Sequence, residues 1–237
     1  MADAAATERS YSLALLVLTA ATGAIDGVSY LALDRVFTGN MTGNVLFIGF
    51  GLVGVRGIPV LNNLIALLAF MLGAVVASRL TRGGDGSARL PRASLVVLTV
   101  DTVLTLGLAA VWLAVGDLRT TIQIVITGTL ALLLGAQAAA VKHTGIRDLS
   151  TVVVTMTMVN LSTDSRLAGG PGTAWLRRVG AIVTMGIGAL VSAWFTLHLG
   201  GAYALLLAGV VMAAAVALMA RARSSDRVAS APAPVAG

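Results

Sequence analysis

Cysteine is absent from the 237 residues, and charged side chains make up only 11% of them. The first absence excludes a disulfide framework, thiol chemistry and any Cys-ligated metal. The second excludes an ordinary soluble domain, in which about a quarter of the residues are charged. Histidine occurs only at positions 143 and 198, which leaves a metal centre without a ligand set. No HExxH, GxSxG or Cys–His constellation is present, so enzymatic hydrolysis is not expected and no cofactor is implied. The glycine-rich stretch 81–91, TRGGDGSARLP, lacks the GK[ST] of a phosphate loop. The net charge of +6 is spread along the chain rather than clustered, so a nucleic-acid partner is not expected.

What fills the chain is apolar. Hydrophobic residues make up 57% and the mean hydropathy is +0.94. The expected partner is the lipid bilayer. Six stretches are long enough to cross it: 12–33, 59–80, 93–115, 121–141, 174–197 and 202–220. At ~1.5 Å per residue, about 20 residues match a hydrocarbon core of ~30 Å. The runs do not alternate as barrel strands do, so the fold class is all-α. The first run, from Tyr11 to Leu33, outlasts a signal-peptide core. Two further apolar stretches, 45–55 and 151–161, are too short to span and read as re-entrant segments or half-helices.

Charge chooses between six and eight spans. With six, 13 of the 16 Lys and Arg residues share one side with both termini, and only Arg35, Arg56 and Arg119 lie opposite. With eight, the split is 9 to 7. The positive-inside rule selects six and makes the crowded side cytoplasmic. The order is then span, short segment, span, span, twice, with every direction reversed. Residues 12–115 and about 121–220 form two halves of an inverted repeat. LGAVVAS at 72–78 resembles IGALVSA at 187–193, an offset of 115. Residues 1–11 read as a cytoplasmic N-terminal segment. Residues 222–237, ending APAPVAG, read as a disordered cytoplasmic tail.

Each short segment is entered through a polar motif. Residues 36–44 read VFTGNMTGN and residues 152–160 read VVVTMTMVN, with Asn44 and Asn160 116 positions apart. Irregular polar backbone survives at membrane depth only inside protein or beside a cavity. Interrupted segments in corresponding positions of two halves point to a transporter's binding site.

Asp26 is the sharpest single residue. A carboxylate in a span costs on the order of 2.5–3.5 kcal/mol at the centre. It is read as a reversible proton carrier or substrate contact, the alternative being a structural bond to the adjacent segment. Thr38, Asn40, Thr42 and Asn44 follow at even spacing, so an extended stretch would put them on one face and offer donors and acceptors to a small polar solute. Thr155, Thr157 and Asn160 form the counterpart. Gly23, Gly27, Gly39 and Gly43 remove bulk and permit close helix packing. Asp101, mid-span, is a second proton station or a polar bond to Thr102 or Thr105. Gln137 faces the same choice. Lys142 and His143 close a span, and His198 beside Trp194 reads as an interfacial anchor. The Asn40 and Asn160 sequons lie at membrane depth and are discounted as glycosylation sites.

The stretch 22–52, TGAIDGVSYLALDRVFTGNMTGNVLFIGFGL, resembles the signature of the YoaK family of bacterial inner-membrane proteins. It combines an intramembrane Asp after Thr-Gly with an Asn-Met-Thr-Gly-Asn run. The second motif carries Thr155-Met156 where the family tends to have Thr-Gly. The resemblance implies a multi-pass inner-membrane protein and names no solute. Together these features lead to a small secondary transporter moving a small polar solute, proton-coupled through Asp26. The alternatives are a channel with paired re-entrant segments and a non-transporting scaffold or regulator. A homo-oligomer is compatible with the GxxxG spacings.

Overall fold

A computed structural model describes residues 2–83, 89–145 and 154–229. The described residues are helical, without strands. The elements are α1 (Ala2–Ala32), α2 (Met41–Leu52), α3 (Val60–Thr81), α4 (Arg92–Val115), α5 (Thr120–Val141), α6 (Val154–Thr163), α7 (Trp175–His198) and α8 (Gly201–Ala229). Six are long and apolar enough to cross a membrane: all but α2 and α6. Helices satisfy every backbone donor and acceptor internally, which lipid demands. The breaks fall where the sequence cannot continue a helix. Pro59 and Pro91 sit immediately before α3 and α4, where a missing N–H costs nothing. Gly116 ends α4 with φ at 73°. After α1 the chain reverses through Asp34 and Arg35, both left-handed. Asn62 Nδ2 of α3 donates to the Asp34 carboxylate at 2.7 Å and holds that turn.

The long helices form two groups. α1 packs against α7 and α8, and α5 packs against α3 and α4. α4 meets α8 between the groups, and α1 meets α5 over a short stretch. The short helix α2 lies on α3, and α6 lies on α7. α1 and α5 are the most buried helices, whereas α3 and α7 turn much of their surface outward. The apolar core is built from α1, α4, α5 and α8, with Leu15, Leu18, Ile25, Leu98, Leu130, Leu134 and Leu205 fully enclosed.

Glycine sets the closeness of two crossings. Where α1 crosses α7, a Cβ on Gly23 would strike the Met185 carbonyl and one on Gly188 the Ala20 carbonyl. Where α3 crosses α5, a Cβ on Gly73 would strike the Leu132 carbonyl and one on Gly135 the Phe70 carbonyl. Small residues let helix backbones touch, which drives association where lipid removes the hydrophobic incentive.

Both chain ends differ from the sequence expectation. Residues 2–11 and 222–229 continue α1 and α8 rather than forming separate segments. Glu8, Arg223 and Asp226 in these stretches have partners. Glu8 pairs with Arg89 at 3.5 Å and Arg177 at 3.3 Å. Asp226 Oδ2 accepts from the Arg89 N–H at 2.7 Å, and Arg223 Nε donates to the Leu90 carbonyl at 2.9 Å. The remainder of the tail, 230–237, lies outside the described residues.

Candidate functional site

α1 carries a polar stripe at helical spacing: Thr19, Thr22, Asp26 and Ser29, all buried. Steps of three and four residues keep them on one face. Thr19 and Thr22 donate back to the carbonyls of Leu15 and Leu18, and Ser29 donates to that of Asp26 at 3.1 Å. Asp26 is 5% exposed. It lies six residues before the end of α1, roughly 9 Å in at helical rise.

The segment before α2 descends to this depth. Oδ1 of Asp26 accepts the Thr38 N–H at 2.9 Å, the Thr38 hydroxyl at 3.3 Å and the Gly39 N–H at 2.6 Å. A side chain on Gly39 would press on Asp26 Oδ2, Leu134 and Thr22, so the close approach of this backbone to the carboxylate needs glycine. Oδ2 has no hydrogen-bond partner among the described residues and is enclosed. α2 starts immediately afterwards and returns toward the same end. At 12 residues it covers about 18 Å, short of the ~30 Å a span requires. The first short segment is therefore re-entrant.

The site joins the two helix groups. Asp26 belongs to α1, while α2 packs on α3. Gln137 of α5 donates from Nε2 to Thr22 Oγ1 of α1 at 2.9 Å, a second polar tie across the same seam. Near the end of α1, Tyr30, Phe37 and Phe47 stack in series, with Tyr30–Phe37 centroids 4.8 Å apart.

Other expected residues divide. Thr38, Asn40, Thr42 and Asn44 do not share a face. Thr38 and Asn44 are buried, and Asn40 and Thr42 are exposed. The reason is that Asn40 is the N-cap of α2, with Oδ1 accepting from the Gly43 N–H at 3.4 Å, so the chain turns helical where an extended stretch was expected. Asn44 acts as a peptide mimic. Its Oδ1 accepts the Phe37 N–H at 3.0 Å and its Nδ2 donates to the Phe37 carbonyl at 2.6 Å. Gly43 lies against the Phe37 ring, and Gly27 against Ser192 of α7. Ser192 Oγ in turn donates to the Ala24 carbonyl at 2.6 Å.

The second polar set is not brought to the first. Thr155 is exposed, Thr157 buried and Asn160 half-buried, on a helix that packs on α7. The Asn160 carbonyl accepts from Arg178 Nη1 at 2.8 Å, and Arg178 Nη2 pairs with Asp164 at 2.6 Å. The approach to α6, residues 146–153, lies outside the described residues. Asp101 is buried in α4, with Oδ2 unpartnered among the described residues. Thr102 donates to the Leu98 carbonyl instead, and Thr105 Oγ1 is also unpartnered, so neither expected bond to Asp101 forms. His198 stacks on Trp194 at 4.8 Å. No cluster of metal-ligating side chains occurs among the described residues. Thr22 and Ser29 were not anticipated, although their spacing from Asp26 was readable in the sequence.

Residues 14–218 match the family model described as "Protein of unknown function (DUF1275)". The chain is 31% identical over 160 residues to the "UPF0700 transmembrane protein YoaK" of Bacillus subtilis strain 168, covering 68% of each chain. No solved structure matches. The family match encloses α2 to α7 and the Asp26 site, and covers most of the spans of α1 and α8. The chain is a multi-pass membrane protein that belongs to the DUF1275 family, which includes YoaK.

Proposed function

We propose that this protein is a small secondary transporter built as an inverted repeat, with Asp26 coupling solute movement to protons. The carrying observation is the pairing pattern of the helices. Exchange α1–α4 for α5–α8 and the pattern maps onto itself: α1 on α7 becomes α5 on α3, and α2 on α3 becomes α6 on α7. The glycine crossings map residue by residue. Gly23 and Ala20 go to Gly135 and Leu132 at an offset of 112, and Gly188 and Met185 go to Gly73 and Phe70 at an offset of 115. Two reciprocal crossings, at offsets of 112 and 115, support equivalent halves. Half-helices in corresponding positions of such repeats form binding sites in alternating-access carriers.

Asp26 supplies the switch in this reading. It ties one helix group to the hairpin carried by the other, and its second oxygen is free to take a proton. At the opposite end, Glu8, Arg223 and Asp226 hold the segment at Arg89 and Leu90. With the crowded basic side cytoplasmic, the Asp26 latch closes the outer path and this cluster the inner one. The uncharged polar groups that surround Asp26, those of Thr22, Ser29, Thr38 and Gln137, suit a small, uncharged or weakly charged solute.

Uptake into proteoliposomes under an imposed proton gradient tests the reading, with a metabolite pool supplied outside and contents read by mass spectrometry. Saturable, gradient-dependent accumulation that Asp26→Asn abolishes is expected. Non-saturating flux indifferent to the gradient marks a channel, and no flux with any solute removes transport altogether.

A further inference from the structure

The loop between α6 and α7 builds a cavity that the Asp26 site does not use. It measures about 850 Å³ and is lined by Ser162, Ser165, Arg166, Thr173, Trp175 and Arg178, among others. Its wall is fixed by its own hydrogen bonds. Gly170 N–H donates to the Ser165 carbonyl at 2.9 Å and Gly172 N–H to the Asp164 carbonyl at 2.8 Å. The Arg166 side chain lies across Gly172, and its guanidinium has no ion-pair partner among the described residues. Arg178, buried at the base, is paired with Asp164 at 2.6 Å, which leaves Arg166 as the cation that a ligand can reach. The formal charge of the lining is +1: Arg166 and Arg178 against Asp164.

The rim is apolar and turned outward. Leu167 is fully exposed, Trp175 is 53% exposed and Leu176 is 68% exposed. Trp175 and Leu176 open α7, and Leu167 lies on the turn before it; at the entry of a span a tryptophan prefers the headgroup level. A soluble anion has no use for such a rim. A ligand with a phosphate and attached acyl chains uses both parts: the phosphodiester on the Arg166 fork and the Thr173 hydroxyl, and the chains along Trp175 and Leu176.

We infer that the α6–α7 loop is a binding site for the phosphodiester headgroup of an anionic phospholipid. The inference is independent of transport and of which leaflet this end occupies. The occupant is a bilayer lipid, because the cavity opens beside lipid-facing side chains.

The full chain in nanodiscs tests it. Native mass spectrometry compares retained phosphatidylglycerol with retained phosphatidylcholine from a mixed bilayer. Preferential retention of phosphatidylglycerol is expected. Arg166→Gln should weaken it by about tenfold or more, the loss of one charge-assisted fork, and Arg166→Lys should restore part of it. Thr173→Val is a second variant that removes a hydroxyl without touching charge, and it should weaken retention to a smaller degree. Equal retention of the two lipids overturns the inference, as does undiminished retention by both Arg166→Gln and Thr173→Val. Displacement of phosphatidylglycerol by inorganic phosphate at equal concentration would assign the site to a soluble anion and overturn the lipid as occupant.

Discussion

Asp26 and Gly39 stand 13 residues apart in the chain and meet at 2.6 Å, carboxylate Oδ1 to backbone N–H. The contact joins a transmembrane helix to a hairpin carried by a different helix group. Two backbone donors and one hydroxyl converge on a single oxygen, while the other oxygen of the same carboxylate has no partner among the described residues. In the proposed transporter, stability and proton coupling therefore separate at this residue. Asp26→Asn keeps an acceptor for the Thr38 and Gly39 N–H groups and loses the charge, at a cost of about 1 kcal/mol. Asp26→Ala strands two buried donors, at ~1–3 kcal/mol each. Thermal unfolding in detergent should rank wild type, Asn and Ala in that order. Gradient-driven uptake should vanish in both variants.

The paired glycine crossings predict a matched set of defects. Gly23, Gly73, Gly135 and Gly188 each face a backbone carbonyl of the crossing helix. Alanine at any of them forces the helices apart, at ~1–3 kcal/mol, against a helix-propensity gain of about 1 kcal/mol. Gly107 and Gly186 face open space, so alanine there keeps only the gain. Melting temperatures should fall for the first four substitutions and hold or rise for the last two. Similar losses at Gly23 and Gly135, and at Gly73 and Gly188, would be the energetic signature of equivalent halves.

Asn44 is predicted to be a structural residue of the hairpin. Its side chain occupies both backbone polar groups of Phe37. Asn44→Ala leaves a buried donor and acceptor unsatisfied, again ~1–3 kcal/mol each. Thr42→Ala removes an exposed hydroxyl and should leave the melting temperature near wild type. A solute-binding role for Thr42 appears instead as a raised KM for uptake with unchanged stability, which separates the two positions.

The spans were legible because lipid imposes length and apolarity, the two properties that sequence displays most directly. Each of the six stretches falls on a helix, within a few residues. The local geometry of residues 36–44 was not legible. Even spacing of Thr38, Asn40, Thr42 and Asn44 fits a period of two, but Asn40 caps α2 and resets the period to 3.6 from Met41 onward. The N-cap preference of asparagine was the available signal. The bond from Asp26 to Thr38 and Gly39 depends on a chain reversal through two left-handed residues, Asp34 and Arg35. That reversal is held by Asn62 from 28 positions away, and no local pattern encodes it. The helical continuation at both ends was not legible because the composition that ends in APAPVAG suggests disorder from residue 222 onward, whereas Glu8, Arg223 and Asp226 hold their stretches through Arg89, Leu90 and Arg177.

The lack of cysteine makes topology directly testable. Single-cysteine variants need no background removal. Arg82 follows the end of α3, and Arg221 lies in the last part of α8. The Arg89–Asp226 and Arg223–Leu90 bonds bring the start of α4 to that part of α8. Both arginines consequently belong to one end of the molecule. Arg56, between α2 and α3, belongs to the other, because the single span α3 separates it from Arg82. An impermeant maleimide applied to intact cells should leave Arg82→Cys and Arg221→Cys unlabelled and should modify Arg56→Cys, with the pattern inverted in inside-out vesicles. The positive-inside rule sets which end is hidden, so full inversion of the pattern would reverse the orientation and keep the fold. Four spans, α4, α5, α7 and α8, separate the two positions, so labelling of Arg82→Cys and Arg221→Cys from opposite sides would require α6 to cross the bilayer, and the inverted repeat could not survive that result.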